Sequence, residues 1–80
     1  MRIKVKLFAS ARAAAGRGEL EMDLPEGGTV REAFERLKEM FPKLAGIKEM
    51  RFAVNMEYVE PDFELRDGDE LVLIPPVSGG

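Results

Sequence analysis

One long helical pattern constrains the fold of this 80-residue chain more than any other feature. Six apolar residues recur at the spacing of a single helix face: Val30, Ala33, Phe34, Leu37, Met40 and Phe41. Thr29 and Glu32 have the spacing of a capping box at the start of this helix, and Pro42 ends it. Apolar and aromatic residues at this spacing are typical of a core. We therefore expect the helix to cover one face of a sheet.

Alternation of apolar and polar residues predicts two strands near the N-terminus. In residues 2–8 the apolar members of the alternation share one face, whereas Phe8 falls by parity on the opposite face, with the lysines. The alanine-rich residues 9–15 favour a short helix that Gly16 ends. Alternation returns at residues 20–24, which predicts the second strand.

The second half of the chain shows shorter strand patterns. Residues 43–50 indicate an irregular connection, and residues 52–54 a short strand. A hairpin turn around Asn55 leads to a return strand at residues 58–59. The continuous apolar run at residues 71–74 predicts a central strand covered on both faces.

These elements predict an α+β fold of the β-grasp, or ubiquitin-like, type. We expect a mixed sheet of about four to five strands, with one main helix on one face. The first and last strands are both apolar, so we expect them to pair at the centre of the sheet. Residues 1–76 form the predicted domain, and residues 77–80 a flexible C-terminal tail.

The composition excludes several classes of function. The chain has no Cys, which excludes thiolate chemistry and cysteine-ligated metals, and no His, the usual general base and metal ligand. The acidic turn at residues 67–70 lacks the spacing of a calcium loop. No metal or cofactor is therefore expected on this chain. Scarce amides among many charged residues favour a thermophilic source, although five methionines weaken that indication.

The charge and hydropathy patterns exclude some classes of binding partner. Residues 1–18 hold five basic residues and no acid, whereas residues 57–70 hold seven acids and one base. With a net charge of −3 and few aromatics, nucleic acid is not an expected partner. No apolar run reaches membrane-spanning length, and the N-terminus has no signal-peptide pattern. We expect no membrane association and a cytoplasmic location.

The C-terminal residues are the one feature that core packing does not explain. Pro75 and Pro76 have fixed dihedral angles, so we expect them to project Gly79 and Gly80 clear of the domain. A diglycine has no side chains and threads a narrow channel in a partner. The reactive group at its end is the α-carboxylate of Gly80. That carboxylate becomes an acyl donor for sulfur or an amine once a partner transfers it to AMP.

The sequence at this point resembles a known family. The residues that carry the resemblance are Lys4-Val5-Lys6-Leu7-Phe8-Ala9 with Arg12, Ala53-Val54-Asn55, Leu65-Arg66-Asp67-Gly68-Asp69-Glu70-Leu71-Val72 and Pro75-Pro76-Val77-Ser78-Gly79-Gly80. They are similar to the small, sulfur-carrier subunits of molybdopterin synthase, over essentially the whole chain. The Pro-Pro-Val-Ser-Gly-Gly ending is specific, because thiazole-pathway carriers usually lack the proline pair.

The resemblance implies a role without catalysis. An E1-like adenylyltransferase would activate Gly80 with ATP, and a sulfurtransferase would convert it to a thiocarboxylate. The tail, with Gly79 threading the channel, would enter the large synthase subunit, in a complex of two copies of each subunit. Sulfur would pass to cyclic pyranopterin monophosphate, and two rounds would build the dithiolene. The large subunit would supply the catalytic residues.

The resemblance also implies a docking surface. Family members carry an exposed apolar patch at the positions that match Phe8, Tyr58 and Ile74, and the outward parity of Phe8 agrees with this. We expect Pro75, Pro76, Val77 and Ser78 to contact the partner as well. The alternative is that Phe8 and Ile74 are core residues.

Other functions also begin with activation of the Gly80 carboxylate. Attack by a lysine on activated Gly80 would make the chain a ubiquitin-like protein modifier. Sulfur donation to tRNA thiolation or to thiazole synthesis is a further possibility. A plain ubiquitin-like binding module predicts instead that deletion of Gly79 and Gly80 changes nothing.

Overall fold

The first and last strands pair at the centre of a five-stranded mixed sheet. The computed structural model describes residues 1–77. Its strands are β1 (Arg2–Leu7), β2 (Glu19–Asp23), β3 (Arg51–Val54), β4 (Glu57–Val59) and β5 (Glu70–Ile74). Its helices are α1 (Ala9–Ala15), α2 (Val30–Met40) and a 3₁₀ helix at Pro42–Gly46. None of the helices within this range is long and apolar enough to cross a membrane.

The strand order is β2-β1-β5-β3-β4. β1 and β5 are parallel, and every other neighbouring pair is antiparallel. A parallel pair needs a crossover between its strands, and here the crossover contains the main helix α2. This is the β-grasp arrangement, so the predicted fold class and the predicted central pairing are confirmed.

The start of α2 follows from its cap. The Thr29 hydroxyl accepts a hydrogen bond from the Glu32 amide at 3.2 Å, as the capping box predicts. The Glu32 carboxylate does not complete the box in the expected way, because it pairs with the Arg36 guanidinium at 3.5 Å. Val30 and Leu37 are fully buried against the sheet.

The apolar stripe of α2 is not wholly core, and the prediction for Met40 is wrong. Met40 is the last residue of the helix and is 51% exposed, because it lies beside the edge strand β2 instead of over the sheet. Phe34 and Phe41 are partly buried and pack against the core. The irregular connection predicted at residues 43–50 is also wrong in part, since residues 42–46 form the 3₁₀ helix. That helix buries Leu44 completely.

Only one face of β5 is fully covered, so the prediction of two covered faces is wrong. Leu71 and Leu73 are fully buried, whereas Val72 and Ile74 are partly exposed on the other face. Both α-helices contribute side chains to the same buried cluster as Leu71 and Leu73. In the part of the chain described, the helices therefore lie on one side of the sheet. We refer to that side as the inner face and to the opposite side as the outer face.

Candidate docking surface and chain exit

The chain leaves the domain at the end of β5. Ile74 is partly buried and Pro75 is buried, so the strand end is anchored. Pro76 is exposed and Val77 is 92% exposed. Because neither proline can donate an amide hydrogen to a sheet, they end the ladder here, as predicted. The chain therefore becomes exposed within two residues of the end of this central strand.

An open groove surrounds this exit. Five of the predicted site residues line it: Tyr58, Ile74, Pro75, Pro76 and Val77. Strand register explains the grouping. Ala53 of β3 lies opposite Tyr58 of β4, and Arg51 lies opposite Ile74 of β5. Residues two apart on β3 share a face, so these pairs bring Tyr58 and Ile74 onto the outer face together.

Phe8 lies at the same end of the outer face. Leu7 pairs with Leu73, and Phe8 continues the extended conformation of β1, with φ −123° and ψ 160°. Continuing the register by one residue brings Phe8 beside Ile74. Its side chain is 53% exposed, as its parity predicts, and Phe8 is therefore not a core residue. Ile74 is intermediate, with part of its surface open to the groove.

Sequence reasoning missed several residues of this surface. Glu49, Met50 and Arg51 line the groove with the predicted residues. Arg51 could have been predicted from the sequence. It directly precedes the predicted strand at residues 52–54, and the alternation of faces along that strand places Arg51 on the outer face. Glu49 gave no such signal. Its φ of 59° is in the left-handed region, where a non-glycine residue is uncommon, and it directs the chain from the 3₁₀ helix into β3.

Three predicted site residues, Ser78, Gly79 and Gly80, lie outside the described residues. The roles assigned to them, and the tail boundary at residue 77, stay predictions. The docking roles of Phe8, Tyr58, Ile74, Pro75, Pro76 and Val77 also stay predictions, since exposure alone does not identify a binding surface.

Charged side chains cover much of the rest of the outer face. Lys6, the neighbour of Phe8 on that face, pairs with Glu70 at 3.5 Å. At the far corner the Arg2 guanidinium donates to the Asp23 carboxylate at 3.1 Å. That hydrogen bond and the positive charge of Arg2 lower the pKa of Asp23. The groove at the chain exit, which has both apolar and polar side chains, is thus bordered by charged side chains on the same face.

The surface is suited to binding and offers little for catalysis. Its polar side chains are Glu49, Arg51 and Tyr58, with neither a His nor a Cys in the whole chain to act as base or nucleophile. Within residues 1–77 no group of three or more potential ligands has the arrangement of a metal site. What the exposed aromatic and aliphatic side chains offer is apolar area that a partner would bury.

Comparison with known proteins identifies relatives of full length. The molybdopterin synthase sulfur carrier subunit of Chlamydomonas reinhardtii is 40% identical, with each chain covered completely. A solved structure of a putative molybdopterin converting factor subunit 1 from Pyrococcus furiosus is 38% identical, with a TM-score of 0.88 and 96% and 99% of the two chains covered. SAMP1 from Haloferax volcanii, small archaeal modifier protein 1, is 29% identical, with a TM-score of 0.90 and both chains covered completely.

The family assignment rests on two findings. The sequence model of the ThiS family matches residues 5–80, nearly the whole chain. The relative from Chlamydomonas reinhardtii exceeds 30% identity over its entire length. The ubiquitin-like sheet, the diglycine ending and these similarities agree, and the chain belongs to the ThiS family.

Proposed function

We propose that this chain is the sulfur-carrier subunit of a molybdopterin synthase. One observation carries the proposal: the chain leaves β5 through Pro75 and Pro76 beside an open groove that exposes Tyr58 and Ile74, and its sequence ends in Gly79-Gly80. That combination suits a terminus that is delivered into another protein. The names of relatives at 40% and 38% identity support the same role.

The proposed chemistry begins with activation by a partner. The Gly80 carboxylate attacks the α-phosphorus of ATP on an E1-like adenylyltransferase, and pyrophosphate leaves. A sulfurtransferase persulfide then attacks the acyl adenylate and AMP leaves, which forms an acyl disulfide. A thiol cleaves that disulfide, so the C-terminal thiocarboxylate is released and the thiol is oxidised to a disulfide with the sulfurtransferase. Since the chain lacks Cys and His, every step needs residues of those partners. ATP binds the activating enzyme, and this chain binds no cofactor of its own.

Delivery of the sulfur follows from docking. We propose that Phe8, Tyr58 and Ile74 bury their exposed surface against the large synthase subunit, in a complex of two copies of each subunit. The tail then enters the large subunit's active site in the cytoplasm, where ATP is available for reactivation. Gly80 gives its sulfur to cyclic pyranopterin monophosphate, and a second thiocarboxylated chain completes the dithiolene.

Intact mass spectrometry tests the activation. The chain is incubated with an E1-like enzyme, ATP and a sulfur source, and we expect a mass gain equal to exchange of one oxygen for sulfur. A chain without Gly79 and Gly80 should show no gain. If the full chain gains no mass with an enzyme that is active on another carrier, its terminus is not a substrate, and a plain binding module explains the fold better.

A protein modifier is the second candidate function. The observation in its favour is the full-length similarity to SAMP1, small archaeal modifier protein 1. In this role a lysine amine attacks activated Gly80 and forms an isopeptide bond. Proteins carrying Gly79-Gly80 on lysine side chains, found by proteolysis and mass spectrometry in cells that express the chain, would favour it. Transfer of sulfur from this chain to tRNA or to thiazole would instead favour a role in tRNA thiolation or in thiazole synthesis.

A further inference from the structure

Met40 and the edge strand β2 form a groove that the proposed function does not use. The groove is lined by Glu21, Met22, Asp23, Arg36, Glu39 and Met40. Met22 is buried at its floor, whereas Met40 leaves about half of its surface open. Since the rest of the α2 stripe packs inward, Met40 supplies apolar surface with no partner in the core.

The backbone beside this groove is available for pairing. β2 stands at one end of the sheet order, so its only neighbouring strand in the described sheet is β1. An edge strand of this kind presents unpaired amide and carbonyl groups, onto which an extended segment can add as another strand.

In one row across the outer face, the charges alternate in sign from strand to strand. Glu21 of β2 lies opposite Lys4 of β1, and Lys4 lies opposite Glu70 of β5. Because β2 is the edge strand, no further strand lies beside Glu21 in this row. A basic side chain on an added strand would continue the alternation of charge. Directly opposed charges of opposite sign stabilise strand pairs, whereas like charges destabilise them.

The inner face of the same edge favours a different residue type. Side chains of successive strand residues point to opposite faces, so Met22 faces inward between Glu21 and Asp23. An added strand therefore places one set of side chains against Glu19, Glu21 and Asp23 and the other set against Met22 and Met40. Arg2 of β1 contacts both Glu21 at 3.7 Å and Asp23 at 3.1 Å, so these two carboxylates share one guanidinium and the first set still favours positive charge. The second set favours apolar surface.

We propose that the β2 edge and the Met40 groove bind an extended partner segment in which basic and apolar residues alternate. The segment adds to the sheet beside β2, with its basic side chains on the outer face and its apolar side chains over Met22 and Met40. A second copy of this chain is a poor occupant through its own β2, because Glu19, Glu21 and Asp23 would meet the same acids.

The position of this edge makes the interaction compatible with the chain exit. β2 and β4 lie at opposite ends of the sheet order. The groove at Tyr58 and Ile74 belongs to the β4 side, so a segment on β2 leaves it open. The proposal stands on the β2 edge alone and does not depend on sulfur transfer.

A peptide titration followed by NMR tests the proposal. The probe is a capped octapeptide in which lysine and valine alternate, added to the ¹⁵N-labelled full chain. We expect the largest amide shift changes at residues 19–23 and 39–41. A peptide of the same composition, with its lysines and valines in separate blocks, should bind more weakly. A peptide with glutamate in place of lysine should produce no shift changes at this edge.

Two variants separate the groove from general electrostatic attraction. Met40→Ser removes exposed apolar surface without disturbing the core, and we expect about tenfold weaker binding. Met56→Ser is the matched control, since Met56 is 90% exposed at the β3–β4 turn, and binding should stay unchanged. The proposal is overturned if the peptide shifts no amides of β2, if the shifts concentrate in the acidic residues 57–70, or if Met40→Ser binds as tightly as the unaltered chain.

Discussion

Leu7 lies directly opposite Leu73 across the two central strands. Both side chains are fully buried, so this register is fixed by the core. Because of this register, β1 and β5 finish at the same end of the sheet. Phe8 and Ile74 therefore occupy neighbouring positions on the outer face. The apolar surface at the chain exit is therefore a consequence of how the core aligns the first and last strands.

Replacement of Phe8 by serine should separate docking from folding. Because the Phe8 side chain is half exposed, we expect Phe8→Ser to melt cooperatively within a few degrees of the unaltered chain. Binding to the large synthase subunit should weaken by at least about tenfold, as expected for an aromatic anchor. Calorimetry of unfolding and of binding measures the two effects on the same samples.

Phe63→Ser is the matched control for this prediction. Phe63 is 40% exposed and lines a groove with Asn55 and Asp69, at the opposite end of the sheet. The same chemical change there should leave binding intact. Equal weakening by both substitutions, or loss of cooperative melting in Phe8→Ser, would argue against a docking role for Phe8.

Asn55 should be the most important polar residue for stability at the opposite end of the sheet. Its side-chain amide donates to Asp69 at 2.9 Å, and its side-chain oxygen accepts from the Glu70 amide at 3.0 Å. These bonds tie the β3–β4 turn to the start of β5. At about 1 kcal/mol for each hydrogen bond, Asn55→Ala should lower the free energy of unfolding by about 2 kcal/mol.

Met56→Ala provides the comparison for Asn55→Ala. Both residues lie in the left-handed region, with φ of 49° and 73°, so alanine occupies that region at each position, and Asn55→Ala additionally loses the tolerance of asparagine for it. The Met56 side chain is almost fully exposed and should contribute little. Chemical denaturation of the two variants measures the difference, and similar losses in both would indicate that the turn conformation matters more than the hydrogen bonds.

The two ends of the α2 stripe should respond differently to truncation. Leu37 is fully buried, so Leu37→Ala should destabilise the fold by about 3 kcal/mol through lost burial and a cavity. Met40 is half exposed beside β2, and Met40→Ala should cost about 0.5 kcal/mol. Equilibrium unfolding in urea resolves the two values. A large loss in Met40→Ala would mean that Met40 belongs to the core after all.

The Arg2–Asp23 pair predicts a stability difference that depends on pH. Pairing with Arg2 lowers the pKa of Asp23 in the folded chain. A carboxyl group whose pKa is lower in the folded chain than in the unfolded chain stabilises the fold at pH values above its unfolded pKa of about 4. That stabilisation is lost as the pH falls through the pKa of the folded chain. Asp23→Asn should therefore melt lower than the unaltered chain at neutral pH. The two melting temperatures should converge in strong acid, and an equal gap at both extremes would contradict the assignment.

Local patterns in the sequence were sufficient to predict most of the fold. The α2 stripe and the alternation in β1 each follow from burial of one face, and both elements are present. β5 is also present, although its continuous apolar run predicts burial of both faces and only one is fully covered. Patterns of this kind do not reveal where a helix ends relative to the edge of a sheet. For that reason Met40 was assigned to the core, although it extends past the core beside β2.

The candidate site was predictable only in part, for a related reason. The parity of Phe8 was sufficient to place it on the outer face. The family resemblance grouped Tyr58 with Ile74, whereas residue patterns alone do not, because that grouping depends on the β5–β3–β4 register and so on contacts between distant residues. Glu49 and Met50 line the groove because the backbone turns through a left-handed conformation at Glu49, and no residue pattern predicts that turn.

A single-turnover sulfur transfer tests the central proposal most directly. The chain is prepared with a C-terminal thiocarboxylate and mixed with the large synthase subunit and cyclic pyranopterin monophosphate. We predict that the thiocarboxylate returns to the carboxylate, and that two chains are consumed for each dithiolene formed. Persistence of the thiocarboxylate beside an active large subunit, with no dithiolene product, would contradict the assignment of this chain as the sulfur donor.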